Sequence, residues 1–491
     1  MNLIARALRR GPAASAGGRS LRGLFRAAAL ATALGCAAPA AAASRPRVLI
    51  VALDAIRFDD AARARLGSGR DLFPGFKGPV PLVSTFPSST SLAMPGILEP
   101  FGLERSPGYE PRFYDREHGR VRGGGLISYH RIPFAWRGFF DWEVRSLIQK
   151  TIGYGWPLSA NRREISRAID SFLASDEPYF FAYVNSTDAT GHLYGPKRTE
   201  AALIALADAL SEARRRRPDR PFYTVILSDH GMGGGEPLRN ALPGVLEALR
   251  QDGWRMGKKI RGERDVVLIP FGLLSSFVAH AMPGQEAALA RSLARAEGVE
   301  LCAYPDGGGW TVLGGEAEAR IRRLVQDGRV LWSYTAVAGD PLGYGAVLAT
   351  LSTENGTDGD DWYEDGAVFQ ATLAHDFPDA FHRIARSFDL VNNPASVVCS
   401  VAPGWLFGSR RLVIGTRLTR GTLHWTHGAL RSDDSLGFIM SDYPGWNPGP
   451  GVRFDAALRF FANLPGFERA SNGRGASRGI ERASAPAACR P

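Results

Sequence analysis

The sequence predicts an α/β protein: a doubly wound, mostly parallel sheet carrying an inserted, smaller α+β cap subdomain. Three observations lead there. Short, largely apolar runs at Val48–Leu53, Tyr179–Val184 and Phe222–Leu227 have the length and composition of buried parallel strands. Segments of helical periodicity separate them, as in a sheet covered on both faces. Each run also leads into a polar stretch with an aspartate, at Asp54, Asp188 and Asp229. In a parallel sheet the carboxyl ends of the strands border one crevice, so all three acids would open on the same edge.

Residues 1–43 are expected to stand apart from that core. They hold Arg6, Arg9, Arg10, Arg19, Arg22 and Arg26, no acid, and then an uncharged Ala-rich run from Ala27 to Ala43. A basic start, an apolar stretch and a small-residue exit describe an export signal, hence a periplasmic or secreted protein. The run is too short and too Ala-rich to span a bilayer. Arg9-Arg10 suggests twin-arginine export, but the following residues fit it poorly. Leu34-Gly35-Cys36 suggests lipoprotein anchoring at Cys36, with Ala33 where a larger aliphatic residue is usual. Without those six arginines the formal charge of the 491-residue chain falls from +10 to +4, which gives no reason to expect nucleic acid as a partner. Cys302, Cys399 and Cys489 remain after cleavage, with no metal-type spacing. They are expected as buried or unpaired thiols, with room for at most one disulfide.

Arg47–Leu53 is the first strand and ends at Asp54. Pro79–Ser84 is a second short strand, followed by Thr85-Phe86-Pro87-Ser88-Ser89-Thr90-Ser91. Hydroxyls and free N–H groups before a helix at Ser91–Leu98 make a ready anion site, and equally an ordinary helix cap. Glu99–Tyr154 loses all periodicity and reads as a lid or binding surface; His118 and His130 are loop histidines without a metal role. Ile165, Ala168, Ile169, Phe172 and Leu173 place one apolar stripe on a helix over Asn161–Ala174, with Asn161 and Glu164 as its capping box. The Tyr179 strand then leads to a polar loop with Asp188 and His192, a helix over Glu200–Arg216, and the Phe222 strand with Asp229-His230-Gly231.

The insertion, about 266–334, reads β-α-β-β-α-β, with strands at Val266–Val278, Val299–Ala303, Trp310–Leu313 and Val330–Tyr334 and helices at Gln285–Ala296 and Ala317–Gln326. It is expected to cap the carboxyl edge. A helix over Pro378–Arg386 and a strand over Ser396–Val401 return to the main sheet, His375 and His382 being packing or surface residues. Thr426-His427-Gly428 follows, with His424 nearby, and Phe438–Met440 is a last strand. The hydrolase domain is thus expected over 44–469. Residues 470–491, almost devoid of large apolar side chains, read as a disordered tail.

Asp54, Thr85, Asp188, His192, Asp229, His230 and His427 gather at strand ends. Three carboxylates and three imidazoles divide into two sites of three protein ligands each, the number a catalytic zinc usually keeps. Two divalent ions in such an arrangement clamp the attacking and leaving oxygens of a phosphoryl displacement.

Taken in order, Asp54, Thr85-Phe86-Pro87, DATGHLYGP at Asp188–Pro196, SDHGM at Ser228–Met232 and Thr426-His427-Gly428 resemble the alkaline phosphatase superfamily. The similarity is greatest to its nucleotide pyrophosphatase/type I phosphodiesterase branch, over about 47–440. The resemblance implies an exported phosphoric ester hydrolase with two zinc ions. One would be held by Asp188, His192 and His427, the other by Asp54, Asp229 and His230. It further implies Thr85 as a nucleophile forming a covalent phosphothreonine. The branch has Asn after its T-F-P; Ser88 stands here, a shorter donor to substrate phosphate, which leaves diester, monoester and phosphonate substrates open. A small phosphate-containing substrate is the implied partner. The alternative from another class is an exported, non-catalytic metal-binding protein on the same fold.

Overall fold

A six-stranded sheet organises the protein. In this computed structural model its strands lie in the order Val452–Arg453, Lys77–Val83, Leu436–Ser441, Phe222–Leu227, Arg47–Leu53, Tyr179–Val184. Only Leu436–Ser441 runs against the rest, so the sheet is mostly parallel. The structure describes residues 47–465 apart from 68, 70, 124–133, 147–154, 271 and 356–361. The expected export signal, the expected tail and His130 lie outside the described residues.

The period of two in a strand lets Arg47–Leu53 serve two cores at once. Leu49, Val51 and Leu53 face the helices Phe58–Leu66, Pro157–Ala174 and Glu200–Arg216. Ile165, Phe172, Leu203 and Leu210 from those helices fill that side, each fully buried side chain contributing about 1.5–3 kcal/mol. Val48, Ile50 and Ala52 face the helices Thr90–Ile97 and Ala380–Asp389 and one face of a second sheet. Helices on both faces give the doubly wound arrangement expected. Asn161 lies inside its helix rather than capping it, and its amide donates to Thr190 Oγ1 at 3.0 Å.

The second sheet departs from expectation in two places. It runs Tyr363–Glu364, Arg329–Ala338, Ala317–Gln326, Gly309–Gly314, Val299–Asp306, Val397–Val401, Ser276–His280, Asp265–Leu268, Arg255–Met256. Ala317–Gln326, expected as a helix from its Ala, Glu and Arg content, is a strand paired on both sides. Ala319 and Ile321 point into the core, while Arg320 and Arg322 point away. The Asp327-Gly328 turn, both residues at positive φ, sets up the hairpin that overrides helix propensity. Val397–Val401, expected in the main sheet, sits between Val299–Asp306 and Ser276–His280 instead. All five of its residues are buried, and an apolar run does not encode which sheet will take it.

That placement sets Cys302 opposite Cys399 on neighbouring strands, and the two form a disulfide. The expectation of buried or unpaired thiols is thereby corrected for this pair. Among the described residues no helix is long and apolar enough to cross a membrane.

Candidate metal centre

The parallel strands deliver their polar residues to one edge. Asp54 directly follows Leu53, and its N–H donates to Val184 O at 3.1 Å. Ser228, Asp229 and His230 directly follow Leu227. Asp188 and His192, expected in a loop, lie on the helix Ser186–Tyr194, where the i,i+4 spacing puts both on one face. His427 arrives from the antiparallel side, ahead of Leu436–Ser441.

These side chains form two groups, Asp54–Asp229–His230 and Asp188–His192–His427, each offering three ligand atoms within 4.8 Å of one another. His230 Nε2 lies 3.5 Å from Asp54 Oδ1 and 3.6 Å from Asp229 Oδ2. Asp188 Oδ1 lies 3.3 Å from His192 Nε2 and 3.5 Å from His427 Nε2. The groups are neighbours, because the His230 and His427 rings stack with centroids 4.0 Å apart.

Each imidazole has its far nitrogen against a backbone carbonyl. His192 Nδ1 meets Trp425 O at 3.0 Å, His230 Nδ1 meets Gly231 O at 2.9 Å, and His427 Nδ1 meets Ser88 O at 2.8 Å. A carbonyl only accepts, so each Nδ1 carries the hydrogen, and Nε2 of the neutral ring is the atom left to bind a cation. Metal-binding histidines are commonly oriented in this way.

The electrostatics match. Burial pushes Asp54 well above the usual carboxylate range, and the charges of Asp229 and Asp188 push it further. Burial also takes Asp229 up to about 7. Asp188 goes the other way: against burial, His192 and His427 hold it well below the usual range. His230 is taken down to about 4 by burial, and His427 is lowered by burial and by the charge of His230. Asp229 Oδ2 is buried with no hydrogen-bond donor among the described residues. Against burial, Asp188 raises His192, so three crowded buried carboxylates draw positive charge toward the centre. The residues present therefore fit divalent cations.

The hydroxyl that reaches this centre belongs to Thr90. Its Oγ1 is 3.2 Å from Asp54 Oδ1 and 3.2 Å from His230 Nε2. Thr85, expected there, is fully buried and donates to Pro87 O at 2.8 Å. Ser88, expected to donate to substrate, spends its hydroxyl on Thr85 O (2.9 Å) and Ala429 O (3.0 Å) and accepts from Arg383 Nη2 (3.0 Å). The physical reason is the path of the chain. The strand ends at Val83, and residues 84–89 form a buried turn tied to Arg383 and Ser435 before the helix begins at Thr90. The run of hydroxyls at a helix start was the signal for Thr90, outweighed in the sequence by the T-F-P pattern.

The remaining histidines stand elsewhere. His424 Nδ1 is 3.4 Å from Gly235 O, and His382 Nε2 is 3.0 Å from Asp455 Oδ2. Asp115, Glu117 and His118 form a third group with metal-type donors; Glu117 and His118 are exposed, and Asp115 is paired with Arg122 at 2.6 Å. The segment Leu273–Ser276, from the expected cap, reaches the centre: Thr426 Oγ1 donates to Leu273 O at 2.6 Å and Ser275 N to His427 O at 2.8 Å.

No protein-family model matches the chain, and no curated protein does. Among solved structures it is similar to murine ectonucleotide pyrophosphatase/phosphodiesterase 5, at 12% identity over 85% of this chain and 95% of that one, TM-score 0.41. The human counterpart matches at 11% identity over 85% and 95%, TM-score 0.45. Phosphonoacetate hydrolase from Sinorhizobium meliloti, in complex with phosphonoformate, matches at 11% identity over 88% and 96%, TM-score 0.45. At this level of similarity none of them assigns a role to a residue of this chain.

Proposed function

We propose that the chain is an exported, metal-dependent hydrolase of phosphoric esters, of the alkaline phosphatase superfamily type, with Thr90 as its nucleophile. One observation carries this reading: two adjacent Asp/His triads with a threonine hydroxyl 3.2 Å from ligand atoms of one of them. The mixed carboxylate and imidazole donors favour zinc, one ion per triad. When bound, such ions supply Lewis acidity and make a hydroxyl nucleophilic near neutral pH. The Cys302–Cys399 disulfide supports export, since such bonds persist in oxidising compartments.

The chain's own groups then have defined tasks. Thr90 Oγ1 donates its proton to Asp54 Oδ1, and the lone pair of His230 Nε2 lies 3.2 Å from the same oxygen. Tyr183 and Asn185 donate to Asp54 Oδ2, so that carboxylate keeps one orientation. The N–H groups at the start of the Thr90–Ile97 helix favour an anion next to Thr90. Thr90 Oγ1 attacks phosphorus, the P–O bond to the substituent breaks, and that oxygen leaves as an alcohol after taking up a proton. Water hydrolyses the phosphothreonine, returning the threonine and releasing phosphate, or a monoester if the substrate was a diester.

The test joins metal content to turnover. Purified protein is expected to retain two equivalents of zinc by mass spectrometry and to release 4-nitrophenolate from bis(4-nitrophenyl) phosphate or 4-nitrophenyl phosphate. Chelation should abolish both. Two bound metals without turnover on either ester or on phosphonoacetate would leave a non-catalytic metal-binding protein.

A further inference from the structure

His427 reaches the metal centre differently from the other ligands. Asp54, Asp229 and His230 follow strand ends, and Asp188 and His192 ride on the helix Ser186–Tyr194. His427 stands in an irregular turn between the two-residue strand Trp425–Thr426 and the short helix Ser432–Ser435. A turn has no hydrogen-bond ladder of its own, so its course depends on the groups its main chain finds elsewhere.

Those groups come from two sides. From the turn before Thr90, Ser88 N donates to Gly428 O at 3.0 Å, and Ser88 O accepts from His427 Nδ1 at 2.8 Å. From the opposite side come Ser275 and Asp434, 4% and 5% exposed. Ser275 N donates to His427 O at 2.8 Å. Ala429 N, just past the ligand, donates to both Ser275 Oγ and Asp434 Oδ2, each at 2.9 Å. Ser275 Oγ in turn donates to Asp434 Oδ2, closing a three-way junction. Ser275 is itself fixed on the second sheet, where Val401 N donates to its carbonyl at 2.9 Å. A buried carboxylate is costly, and the hydrogen bonds that offset the burial of this one lie at the turn of a single ligand.

The other triad meets Asp434 in a different way. Gly231 N, beside His230, donates to the main-chain Asp434 O at 3.0 Å, a bond that any residue at that position supplies. Asp434 Oδ1 packs against Gly233, where a Cβ would lie 1.9 Å from it. Among the described residues no hydrogen bond joins the Asp434 carboxylate or Ser275 to Asp54, Asp229 or His230.

We propose that Ser275 and Asp434 are positioning residues for His427, and that through them the second sheet sets the affinity of one metal site, Asp188–His192–His427, without setting the other. This rests on the metal-dependent reading above. Both residues act by holding the turn that aims the His427 ring, and neither touches metal or substrate.

The test titrates the full-length zinc protein with a chromogenic chelator, which reads each equivalent of zinc without turnover. Asp434→Ala should weaken one equivalent by about 10–100-fold, the usual cost of removing a group that orients a ligand, and leave the other within about threefold. Ser275→Ala is the milder change, since Asp434 still accepts from Ala429 N, and should weaken the same equivalent by about tenfold. Asp434→Asn, which keeps an oxygen for Ala429 N and Ser275 Oγ, should recover most of the affinity. In a His427→Ala background, where that site is already lost, neither Ala variant should shift the remaining zinc by more than about threefold. Unchanged affinity in either Ala variant, equal weakening of both equivalents, an Asp434→Asn protein no tighter than Asp434→Ala, or a tenfold shift persisting in the His427→Ala background would overturn the assignment. A parent protein that binds no zinc would sink the metal reading and the positioning role together; tight zinc with any of those results would sink the positioning role alone.

Discussion

Replacing Thr90 and Thr85 separately puts the proposed chemistry at most risk. Among the described residues Thr90 Oγ1 hydrogen-bonds to groups of the metal centre, so Thr90→Ala removes the attacking atom and leaves Asp54, Asp229 and His230 in place. Zinc content should stay at two equivalents. Turnover should fall by on the order of 10⁴ or more, the scale seen when a nucleophile is deleted. Thr90→Ser, which keeps a hydroxyl, should recover most of it. Thr85 makes the opposite case. It is fully buried, and its side chain donates to Pro87 O at 2.8 Å. Thr85→Val keeps the volume and removes that bond, while Ser89 N still donates to Pro87 O at 3.0 Å, so the cost is about 0.5–1.5 kcal/mol of stability. The melting temperature should drop by a few degrees, with initial rates within about threefold of the parent. Metal analysis, 4-nitrophenolate release and mass spectrometry of acid-quenched, substrate-saturated protein complete the assay. A phosphopeptide carrying the group on Thr85, Ser88 or Ser89, or a Thr90→Ala protein with normal rates, would refute the reasoning.

Other outcomes follow from the same geometry. His427→Ala should lose one equivalent of zinc, because its ring is buried against Asp188 and Ser88 O, whereas His424→Ala should keep both; equal loss would contradict the ligand set. Reducing the Cys302–Cys399 bridge, which closes a separation of 97 residues, should cost about 2–5 kcal/mol in denaturant unfolding. Against burial, the bond to His382 together with the charges of His382, Arg386 and Arg453 holds Asp455 down to about 2. A carboxylate with a lowered folded pKa stabilises above its ordinary value of 3.8 and loses that contribution as pH falls toward 2. Asp455→Asn should therefore cost about 2 kcal/mol at pH 7 and little at pH 2, measured as urea midpoints across that range.

Much of the centre was legible because it is written at strand ends. Once the runs at Arg47, Tyr179 and Phe222 are taken as parallel strands, Asp54, Asp188 and Asp229 must share an edge, and no distant contact is needed to say so. Thr90 was harder to see for the converse reason. Its place depends on a turn whose shape is set by Arg383 and Ser435, about 300 residues further along the chain. Ala317–Gln326 shows a different limit. A strong helix-forming composition lost to pairing on both edges, and the Asp327-Gly328 turn was the local mark of that outcome. Val397–Val401 shows a third: a buried strand records that it is buried, not between which partners.

The three carbonyls behind the histidines have an evolutionary consequence. Trp425 O, Gly231 O and Ser88 O belong to the main chain, which every residue type supplies. The side chain at Trp425 can therefore change without altering which nitrogen of His192 faces Asp188, whereas a Cβ on Gly231 would lie 2.4 Å from Asp433 O, so the turn behind His230 depends on glycine.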